Sequence, residues 1–395
     1  MREFLEGSRA VAQIVKMCKP GVISAYPITP QTHIVEELAQ MVANGELNAQ
    51  FVNVESEHSA ASVVLGAVAT GVRAFTATSS QGLFYMSEVL FNISGLRLPL
   101  VMTCANRAIS APINIWNDQQ DSVSLRDSGW IQLYAENIQE AADLHLVAYR
   151  LSEDKSIMLP VMVCMDGFIL THGMEAVDMP KQEEVDKFLA PYKPLYKLDP
   201  AEPLTMGLLA DPDYYLETRF AIQETFKDAL KMIPKINNEF KNHFGRDYKD
   251  GLVQEYLTRD AEKVIVAMGS VCGTIKEVVD RLRAKGKKVG LLRIISYRPF
   301  PYAKIYEALK NVPRVAILDK SVSLGAYAPI ATDVRSAFLN KKAAPRVISS
   351  FVAGLGGRDI TVETIEEVFS KMTTKEVNLE FIDLKTELLK EEYGE

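Results

Sequence analysis

Several features that define other protein classes are missing from this 395-residue sequence. It has only four cysteines, Cys18, Cys104, Cys164 and Cys272, and no two of them form the CxxC pair typical of zinc and iron–sulfur sites. We therefore expect any iron–sulfur centre to lie on another chain and assign no metal site to this one. No apolar run reaches about 18 residues, and the charged start MREFLE lacks a signal-peptide core. The sequence thus predicts a cytoplasmic protein with no membrane partner.

The common nucleotide and esterase motifs are absent as well. GxGxxG does not follow the first predicted strand, and neither GxxxxGK[ST] nor GxSxG occurs. GLGG at 354–357 is rich in glycine, but its spacing does not fit a pyrophosphate turn, and we interpret it as a tight turn. A stand-alone nucleotide-binding protein is therefore disfavoured.

The composition is that of a soluble globular protein. Hydrophobic residues make up 48% of the chain and charged residues 24%, while 44 basic and 51 acidic residues give a net charge of −7. Because no dense run of Lys and Arg could follow a phosphate backbone, nucleic acid is not an expected partner. The length favours two domains.

The first part of the sequence alternates short apolar runs with helical stretches, which predicts a doubly wound α/β domain. The predicted strands are 22–26, 51–54, 74–78, 98–104 and 159–166, and the predicted helices are 56–70, 83–93 and 139–151. Ligands of such folds bind where the strands end, so the loops that follow the strands are the candidate site.

A connector over about 176–256, with a charged helix from Tyr215 to Phe240, separates this domain from a second one. We place the first domain, with its connector, at 1–240 and a smaller α/β domain at 257–395. The second domain has predicted strands 264–267, 289–294, 315–318 and 347–351 and predicted helices 271–284, 302–309, 327–339 and 362–369.

Two charged residues in the strand-end loops are candidates for chemistry. Glu57 begins a helix that is rich in small residues. Its carboxylate is either a helix-start charge that the helix dipole stabilises, or a group that bonds a ligand in an apolar site. Arg107 directly follows a strand, so its guanidinium either forms an ion pair or binds a small carboxylate. His58 and His172 are possible groups at the edge of the site. The polar segments 116–121 and 126–130, which contain both tryptophans, are typical of a lid or a subunit contact.

At these loops the sequence resembles the alpha subunit of pyruvate:ferredoxin oxidoreductase and of related 2-oxoacid enzymes, over nearly its full length. The shared motifs are YPITP (26–30), ESEHS (55–59), ATSSQG (77–82), NRA (106–108), APINIWND (111–118), RDSGWIQ (126–132), DGF (166–168), TH (171–172), 293–301 and DKSVSLG (319–325).

The resemblance implies a thiamine-diphosphate domain of the pyrimidine-binding type and a domain like the C-terminal domain of transketolase. Glu57 would bond the pyrimidine ring nitrogen, Arg107 would pair with the oxoacid carboxylate, and Thr29 would bond the substrate. Pro27, Ile28, Ser80 and Gln81 complete the expected cofactor pocket.

The resemblance also implies partner chains. Beta, gamma and delta-type subunits would supply Mg²⁺, the diphosphate pocket and [4Fe-4S] clusters, in a dimer of heteromers. The implied reaction is the oxidative decarboxylation of pyruvate with coenzyme A to acetyl-CoA, CO₂ and reduced ferredoxin, or its reverse.

Two alternatives remain open from the sequence. Phe84 and Tyr85 stand where a pyruvate enzyme is expected to have aliphatic residues, so they either pack in the core, which we favour, or shape the pocket for another oxoacid, such as phenylglyoxylate or a branched one. A noncatalytic scaffold in an electron-transfer complex is the alternative from a different functional class.

Overall fold

The computed structural model describes residues 2–393, which divide into two compact units. The first unit runs to Gln254 and also includes Met268–Ser270 and Ile294–Pro301. The second consists of Glu255–Ala267, Val271–Arg293 and the chain from Tyr302 onward. Both units combine parallel strands with helices, which confirms the predicted α/β class.

The strands are β1 (Arg2–Glu6), β2 (Val22–Ala25), β3 (Gln50–Asn53), β4 (Ala74–Thr78), β5 (Val101–Asn106), β6 (Ile131–Tyr134), β7 (Val161–Asp166), β8 (Met174–Asp178), β9 (Val253–Tyr256), β10 (Lys263–Ala267), β11 (Val289–Ile294), β12 (Ser296–Arg298), β13 (Arg314–Asp319), β14 (Val347–Val352) and β15 (Glu380–Phe381).

The helices are α1 (Gly7–Met17), α2 (Thr32–Ala43), α3 (Glu57–Ala69), α4 (Ser80–Tyr85), α5 (Ser87–Gly95), α6 (Gln120–Ser124), α7 (Ile138–Ser152), α8 (Gln182–Phe188), α9 (Tyr215–Phe244), α10 (Val271–Ala284), α11 (Tyr302–Leu309), α12 (Pro329–Ser336), α13 (Val362–Lys371) and α14 (Thr386–Tyr393). Over residues 2–393, none of them has the length and hydropathy to cross a membrane.

A seven-stranded sheet forms the centre of the first unit, in the order β12-β6-β7-β5-β4-β2-β3. Neighbouring strands run parallel, except that the edge strand β12 is antiparallel to β6. Every residue of β4, β5, β6 and β7 is buried, because helices cover both faces of a parallel sheet.

The chain reverses its winding direction between β2 and β4. From β2 it crosses to β3 at one edge, and it then returns to the other side of β2 to form β4. In open parallel sheets, ligands bind at the carboxyl ends of the strands on either side of such a reversal. The loop 26–31 after β2 and the turn 79–82 after β4 leave the sheet at this point.

The second unit contains a six-stranded sheet in the order β15-β14-β13-β10-β11-β9. Strands β15, β14, β13, β10 and β11 pair in parallel. Its core is mainly aliphatic, with Phe351 and Phe369, and includes residues of the sheet and of helices α10 and α13. The GLGG segment forms the expected tight turn, in which Gly354, Gly356 and Gly357 adopt positive φ angles.

The predicted elements differ from the structure in several places. Predicted strands 98–104 and 159–166 begin later, at Val101 and Val161, because Pro99 and Pro160 have no N–H to donate to the sheet. Predicted helix 83–93 is two helices, α4 and α5, and predicted helix 327–339 is shortened to α12. The sequence did not predict the segments β1, α1, α2, β6, α6, β8, α8, β9, β12, β15 and α14.

A buried ion pair joins the start of β4 to the end of α7. Arg73 donates from Nε and Nη2 to the two carboxylate oxygens of Glu153, at 2.5 and 2.7 Å, and from Nη1 to the carbonyl of Cys18. The side chains of Arg73 and Glu153 are only 8% and 11% exposed. Removal of one partner therefore leaves the other charge inside the protein.

We expect Arg73→Ala to lower the free energy of unfolding by about 3–5 kcal/mol, because Glu153 would lose its counter-charge while remaining buried. Chemical denaturation measures this change. The matched control is Arg281→Ala, which breaks the exposed pair with Glu277 and should change stability by less than about 1 kcal/mol. Equal losses in the two variants would contradict a special contribution of the buried pair.

Candidate functional site

Glu57 is the first residue of α3, immediately after the N-cap Ser56, whose hydroxyl accepts a hydrogen bond from the N–H of Ser59. The side chain is folded inward, and the residue is only 8% exposed. No described residue makes a hydrogen bond or ion pair with its carboxylate. Since a carboxylate usually stays in water unless it has a partner, this side chain is available to a ligand.

The turn after β4 closes over the carboxylate of Glu57. A Cβ atom placed on Gly82 would lie 2.6 Å from the Glu57 Oε1 and 2.5 Å from the Thr78 Oγ1. Any larger residue at position 82 would therefore push these oxygens apart. The absence of a side chain at Gly82 is what allows α4 to pack directly against the buried acid.

Several buried polar atoms near the ends of strands β2 and β4 have no hydrogen-bond partner among residues 2–393. They are the Thr78 Oγ1, the Ser79 Oγ, the Gln81 Nε2 and the Gln31 Oε1. Unsatisfied buried polar groups are costly, and a concentration of them indicates a place where a polar ligand completes the bonding. Donors, acceptors and one carboxylate thus fit a small polar heterocycle such as an aminopyrimidine.

Arg107 follows β5 directly, and its backbone and side chain have different partners. Its Nε donates to the carbonyl of Asn114 at 2.9 Å, and its Nη1 donates to the carbonyl of Thr29 at 3.0 Å. The Nη2 makes no hydrogen bond to a described residue, and no described carboxylate forms an ion pair with the group. Burial lowers the pKa of the guanidinium. The sequence left two roles open for Arg107, an ion pair or the binding of a small carboxylate. Over residues 2–393 it forms no ion pair, so its charged N–H group remains able to bind a carboxylate.

The carboxylate of Asp121 holds the site loops together. Its Oδ2 accepts from the backbone N–H groups of Ser80 (2.9 Å) and Arg107 (3.0 Å), and its Oδ1 accepts from the Asn106 Nδ2 and the Ser122 N–H, both at 2.8 Å. Burial raises the pKa of Asp121 to about 6, while the four hydrogen bonds oppose that rise. The sequence placed this residue only in a polar segment and assigned it no role.

The loop after β2 carries three of the sequence-predicted site residues. Pro27 and Thr29 are exposed, and Ile28 is half-buried. Gln31 anchors this loop, because its Nε2 donates to the carbonyls of Tyr26 (3.0 Å) and Ala77 (2.9 Å). Gln31 was not predicted from the sequence, where it lies just outside the YPITP motif.

The contacts link the predicted residues in one series. Glu57 lies against the turn that contains Ser80 and Gln81, Ser80 shares Asp121 with Arg107, and Arg107 reaches the carbonyl of Thr29. Ser80 also donates its hydroxyl to the carbonyl of Ala108. The sequence-predicted residues are therefore neighbours at one edge of the sheet.

Some sequence interpretations need correction. Tyr85 is not in the core, because it is 58% exposed and its ring lies 6.0 Å from that of His58. Phe84 is half-buried. The two tryptophans also differ: Trp116 is 53% exposed, whereas Trp130 is fully buried and donates to the carbonyl of Leu90. The segment 126–130 is thus partly a core element.

Comparison with known families agrees with this geometry. Residues 13–238 match the thiamine diphosphate-binding domain of pyruvate flavodoxin/ferredoxin oxidoreductases, and residues 261–365 match core domain II of pyruvate:ferredoxin oxidoreductase. The chain belongs to the pyruvate:ferredoxin oxidoreductase family. The resemblance seen in the sequence motifs is confirmed, and the protein is an alpha-type subunit of a thiamine-diphosphate-dependent 2-oxoacid:ferredoxin oxidoreductase.

Curated relatives extend over almost the whole chain. Pyruvate synthase subunit PorA of Methanothermobacter thermautotrophicus is 51% identical over 98% of this chain and 99% of its own length. The PorA subunit of Thermotoga maritima is 47% identical, with 93% of each chain covered. The ketoisovalerate oxidoreductase subunit VorA of Pyrococcus abyssi is 43% identical over 94% of this chain and 93% of its own.

Two solved structures share the fold of this chain. The 2-oxoglutarate:ferredoxin oxidoreductase of Magnetococcus marinus superposes with a TM-score of 0.70 at 20% identity, over 94% of this chain and 65% of the other. A split-gene transketolase described as an inactive beta4 tetramer has a TM-score of 0.53 at 12% identity, over 94% of this chain and all of that one.

We expect Asp121→Asn to be strongly destabilising although the two side chains have the same shape. Four N–H groups donate to the carboxylate of Asp121, two to each oxygen, and the Cys104 thiol adds a weak bond at 3.7 Å, so an amide NH₂ would face two of the N–H groups and leave these two buried donors unpaired. At about 1–3 kcal/mol for each, the expected loss is roughly 2–6 kcal/mol in the free energy of unfolding. The exposed Asp127→Asn is the control and should lose less than about 0.5 kcal/mol.

The pH dependence of stability gives a second test of Asp121. Because its pKa rises from 3.8 to about 6 on folding, the folded state binds more protons than the unfolded state between these values. The contribution of this group to stability therefore falls as pH increases from about 4 to 6. Denaturation at several pH values should show this component in the parent protein and not in Asp121→Asn. An identical pH profile would contradict the raised pKa.

Proposed function

We propose that this chain provides the pyrimidine-binding half of a split thiamine-diphosphate site and acts on pyruvate. The observation that carries the proposal is the buried carboxylate of Glu57, which packs against Gly82 and which no described residue bonds. A buried, unpartnered acid costs stability, and a bound heterocycle would supply the missing partner.

The described residues fit that cofactor. Glu57 would face a pyrimidine ring nitrogen, where a hydrogen bond to a charged group is worth about 1.5–3 kcal/mol, and Ser80 and Gln81 would line the pocket beside it. Pro27, Ile28 and Thr29 would form the wall after β2. When bound, thiamine diphosphate supplies the nucleophile and electron sink for decarboxylation of a 2-oxoacid. The proposed role of Glu57 is to hold a proton at the pyrimidine ring nitrogen.

Arg107 is proposed to bind the substrate carboxylate. Its guanidinium is held by the carbonyls of Thr29 and Asn114, while the Nη2 remains free to donate to an oxoacid. A charged donor in a partly buried site binds a carboxylate more strongly than one in water. Thr29 is exposed beside it and is proposed to bond the substrate oxygen.

Partner subunits are proposed to complete the site. Exposed apolar side chains lie on the segment next to Arg107: Ile113 is 81% exposed and Trp116 is 53% exposed. Apolar and aromatic side chains are typical of the buried core of an interface. The proposed partners are beta, gamma and delta-type chains carrying Mg²⁺ and [4Fe-4S] clusters, with ferredoxin as acceptor and coenzyme A as acyl acceptor. The dimer of heteromers and the cytoplasmic location stay predictions.

Pyruvate is the proposed substrate because the similarity to pyruvate synthase subunits, up to 51% identity, exceeds the 43% identity to the ketoisovalerate enzyme subunit. A branched oxoacid is the second candidate. An assay of the purified complex with coenzyme A should give the highest kcat/KM for pyruvate in a panel that includes 2-oxoisovalerate, 2-oxoglutarate and phenylglyoxylate. A higher value for another oxoacid would replace pyruvate without affecting the rest of the proposal.

We expect Glu57→Gln to lower kcat of the intact complex by about 10²- to 10⁴-fold, because positioned proton transfer typically contributes this much. Exchange of the thiazolium C2 proton, followed by NMR, should slow in parallel. The control is Glu55→Gln, an exposed acid two residues away. If Glu57→Gln retained full activity in a correctly assembled complex, the scaffold alternative would be favoured.

We expect Arg107→Lys to raise KM for pyruvate by about tenfold or more, with a smaller effect on kcat, since lysine keeps the charge but cannot donate to two carbonyls and a carboxylate from one planar group. Steady-state kinetics of the complex separate the two parameters. The control is Arg9→Lys, at an exposed arginine that forms an ion pair with Glu37. A pure loss of kcat at constant KM would instead indicate that Arg107 acts by positioning the loops.

A further inference from the structure

A second cluster of chemically capable side chains lies outside the proposed cofactor pocket. Glu6 is the last residue of β1, His33 is the second residue of α2, and His172 lies in the loop after β7. One potential ligand atom from each of the three residues lies within 4.8 Å of the others. The histidine rings are 4.7 Å apart at an angle of 41°.

The backbone around this cluster is fixed by long-range hydrogen bonds. The N–H and hydroxyl of Ser8 both donate to the carbonyl of Thr171, at 2.9 and 2.8 Å, and the N–H of Gly7 donates to the carbonyl of Gly173 at 3.1 Å. A Cβ on Gly7 would lie 1.8 Å from the carbonyl oxygen of Leu170. Glu6 is therefore held beside the loop that carries His172, although the two residues are 166 positions apart in the sequence.

The hydrogen bond made by the His172 side chain suits metal ligation. The Thr171 Oγ1 accepts from the N–H of Phe168 and lies 2.7 Å from the His172 Nδ1. When Nδ1 carries the proton and donates it to Thr171, the Nε2 lone pair is free for a metal, an arrangement usual for ligating histidines.

We propose that Glu6, His33 and His172 form a binding site for a divalent transition-metal ion, with Zn²⁺ as the best match. Two imidazole nitrogens and one carboxylate oxygen are a donor set used by open zinc sites, which keep a further position for water. Ligand atoms around tetrahedral zinc lie roughly 3.3 Å apart. In the absence of an ion the His33 Nδ1 lies 2.7 Å from the Glu6 Oε1, and because these side chains are 47% and 28% exposed they have room to move to that spacing.

An ion at this site would connect three elements next to the sheet edge that holds the proposed cofactor pocket. Helix α2 begins directly after the loop 26–31. The loop after β7 contacts the same region, because a Cβ on Gly167 would lie 2.5 Å from Pro30 and from the carbonyl oxygen of Asn106. The ion would brace these loops. The site is independent of the proposed function, because none of its ligands belongs to the pyrimidine or carboxylate pocket.

The test is titration of the chelator-treated full-length chain with Co²⁺, followed by displacement with Zn²⁺. We expect one equivalent of Co²⁺ to give ligand-field absorption without a thiolate charge-transfer band, since all four cysteines are buried. His33→Gln and His172→Gln should each weaken Zn²⁺ binding by about 100-fold. The matched control His243→Gln, at an exposed histidine on α9, should bind as the parent does.

Two results would overturn the proposal. One is the absence of stoichiometric Co²⁺ and Zn²⁺ binding by the parent chain, which would leave a metal-free pair of Glu6 and His33 beside a stacked His172. The other is parent-like binding by both glutamine variants. Thermal unfolding without metal checks that each variant is folded. If a histidine variant does not fold, Zn²⁺ binding by the conservative variant Glu6→Gln tests the site instead. Because the readout is metal binding, loss of 2-oxoacid oxidation has no bearing on it.

Discussion

The site depends on one buried carboxylate that organises the backbone of two loops. Asp121 accepts hydrogen bonds from the N–H groups of Ser80 and Arg107, which lie within two residues of the ends of the neighbouring strands β4 and β5. This fixes the start of α4 and hence the position of Gly82 against Glu57. It also fixes the backbone from which the guanidinium of Arg107 reaches toward Thr29. A charge removed from solvent thus sets the spacing between the proposed cofactor and substrate groups, although it reaches neither of them.

The parallel sheet explains why these residues meet. Strands β2, β4 and β5 are adjacent and run in the same direction, so the loops that follow them emerge at one edge. The reversal of winding between β2 and β4 leaves a crevice between their loops. Gln31 spans this crevice through hydrogen bonds to the carbonyls of Tyr26 and Ala77, and so keeps the two strand ends at a fixed separation.

The buried polar groups around this crevice are not hydrogen-bonded as they would be in a complete protein core. A native protein normally pairs its buried polar atoms, yet the hydroxyls of Thr78 and Ser79 and the amide nitrogen of Gln81 have no partners within the described part of the chain. The adjacent surface exposes Ile113 and Trp116 instead of covering them. Both features are explained if ligand and partner chain complete the structure. A half-site of this kind would sacrifice some stability of the isolated chain for binding energy in the complex.

Local sequence determined the secondary elements with strong patterns and the residue types at the strand ends. The buried strands around β4 and β11, and helices such as α10, follow from apolar runs and periodicity, and the family motifs identified Glu57, Arg107 and Thr29 as candidates. The sequence could not show β1, because this short, partly exposed strand is stabilised by pairing with β8, more than 160 residues away. Nor could it separate Trp116 from Trp130, which have similar polar neighbours but opposite exposure.

Only the tertiary structure decided that Asp121, and not another acid of its polar segment, receives four N–H donors, and that Glu6, His33 and His172 come together. Hydrogen bonding and burial depend on residues brought close by folding, whereas local patterns report only near neighbours along the chain. The sequence by itself therefore determined the fold class and the chemistry available. The packing of distant segments set the geometry in which Asp121 is hydrogen-bonded and Glu57 has no partner among the described residues.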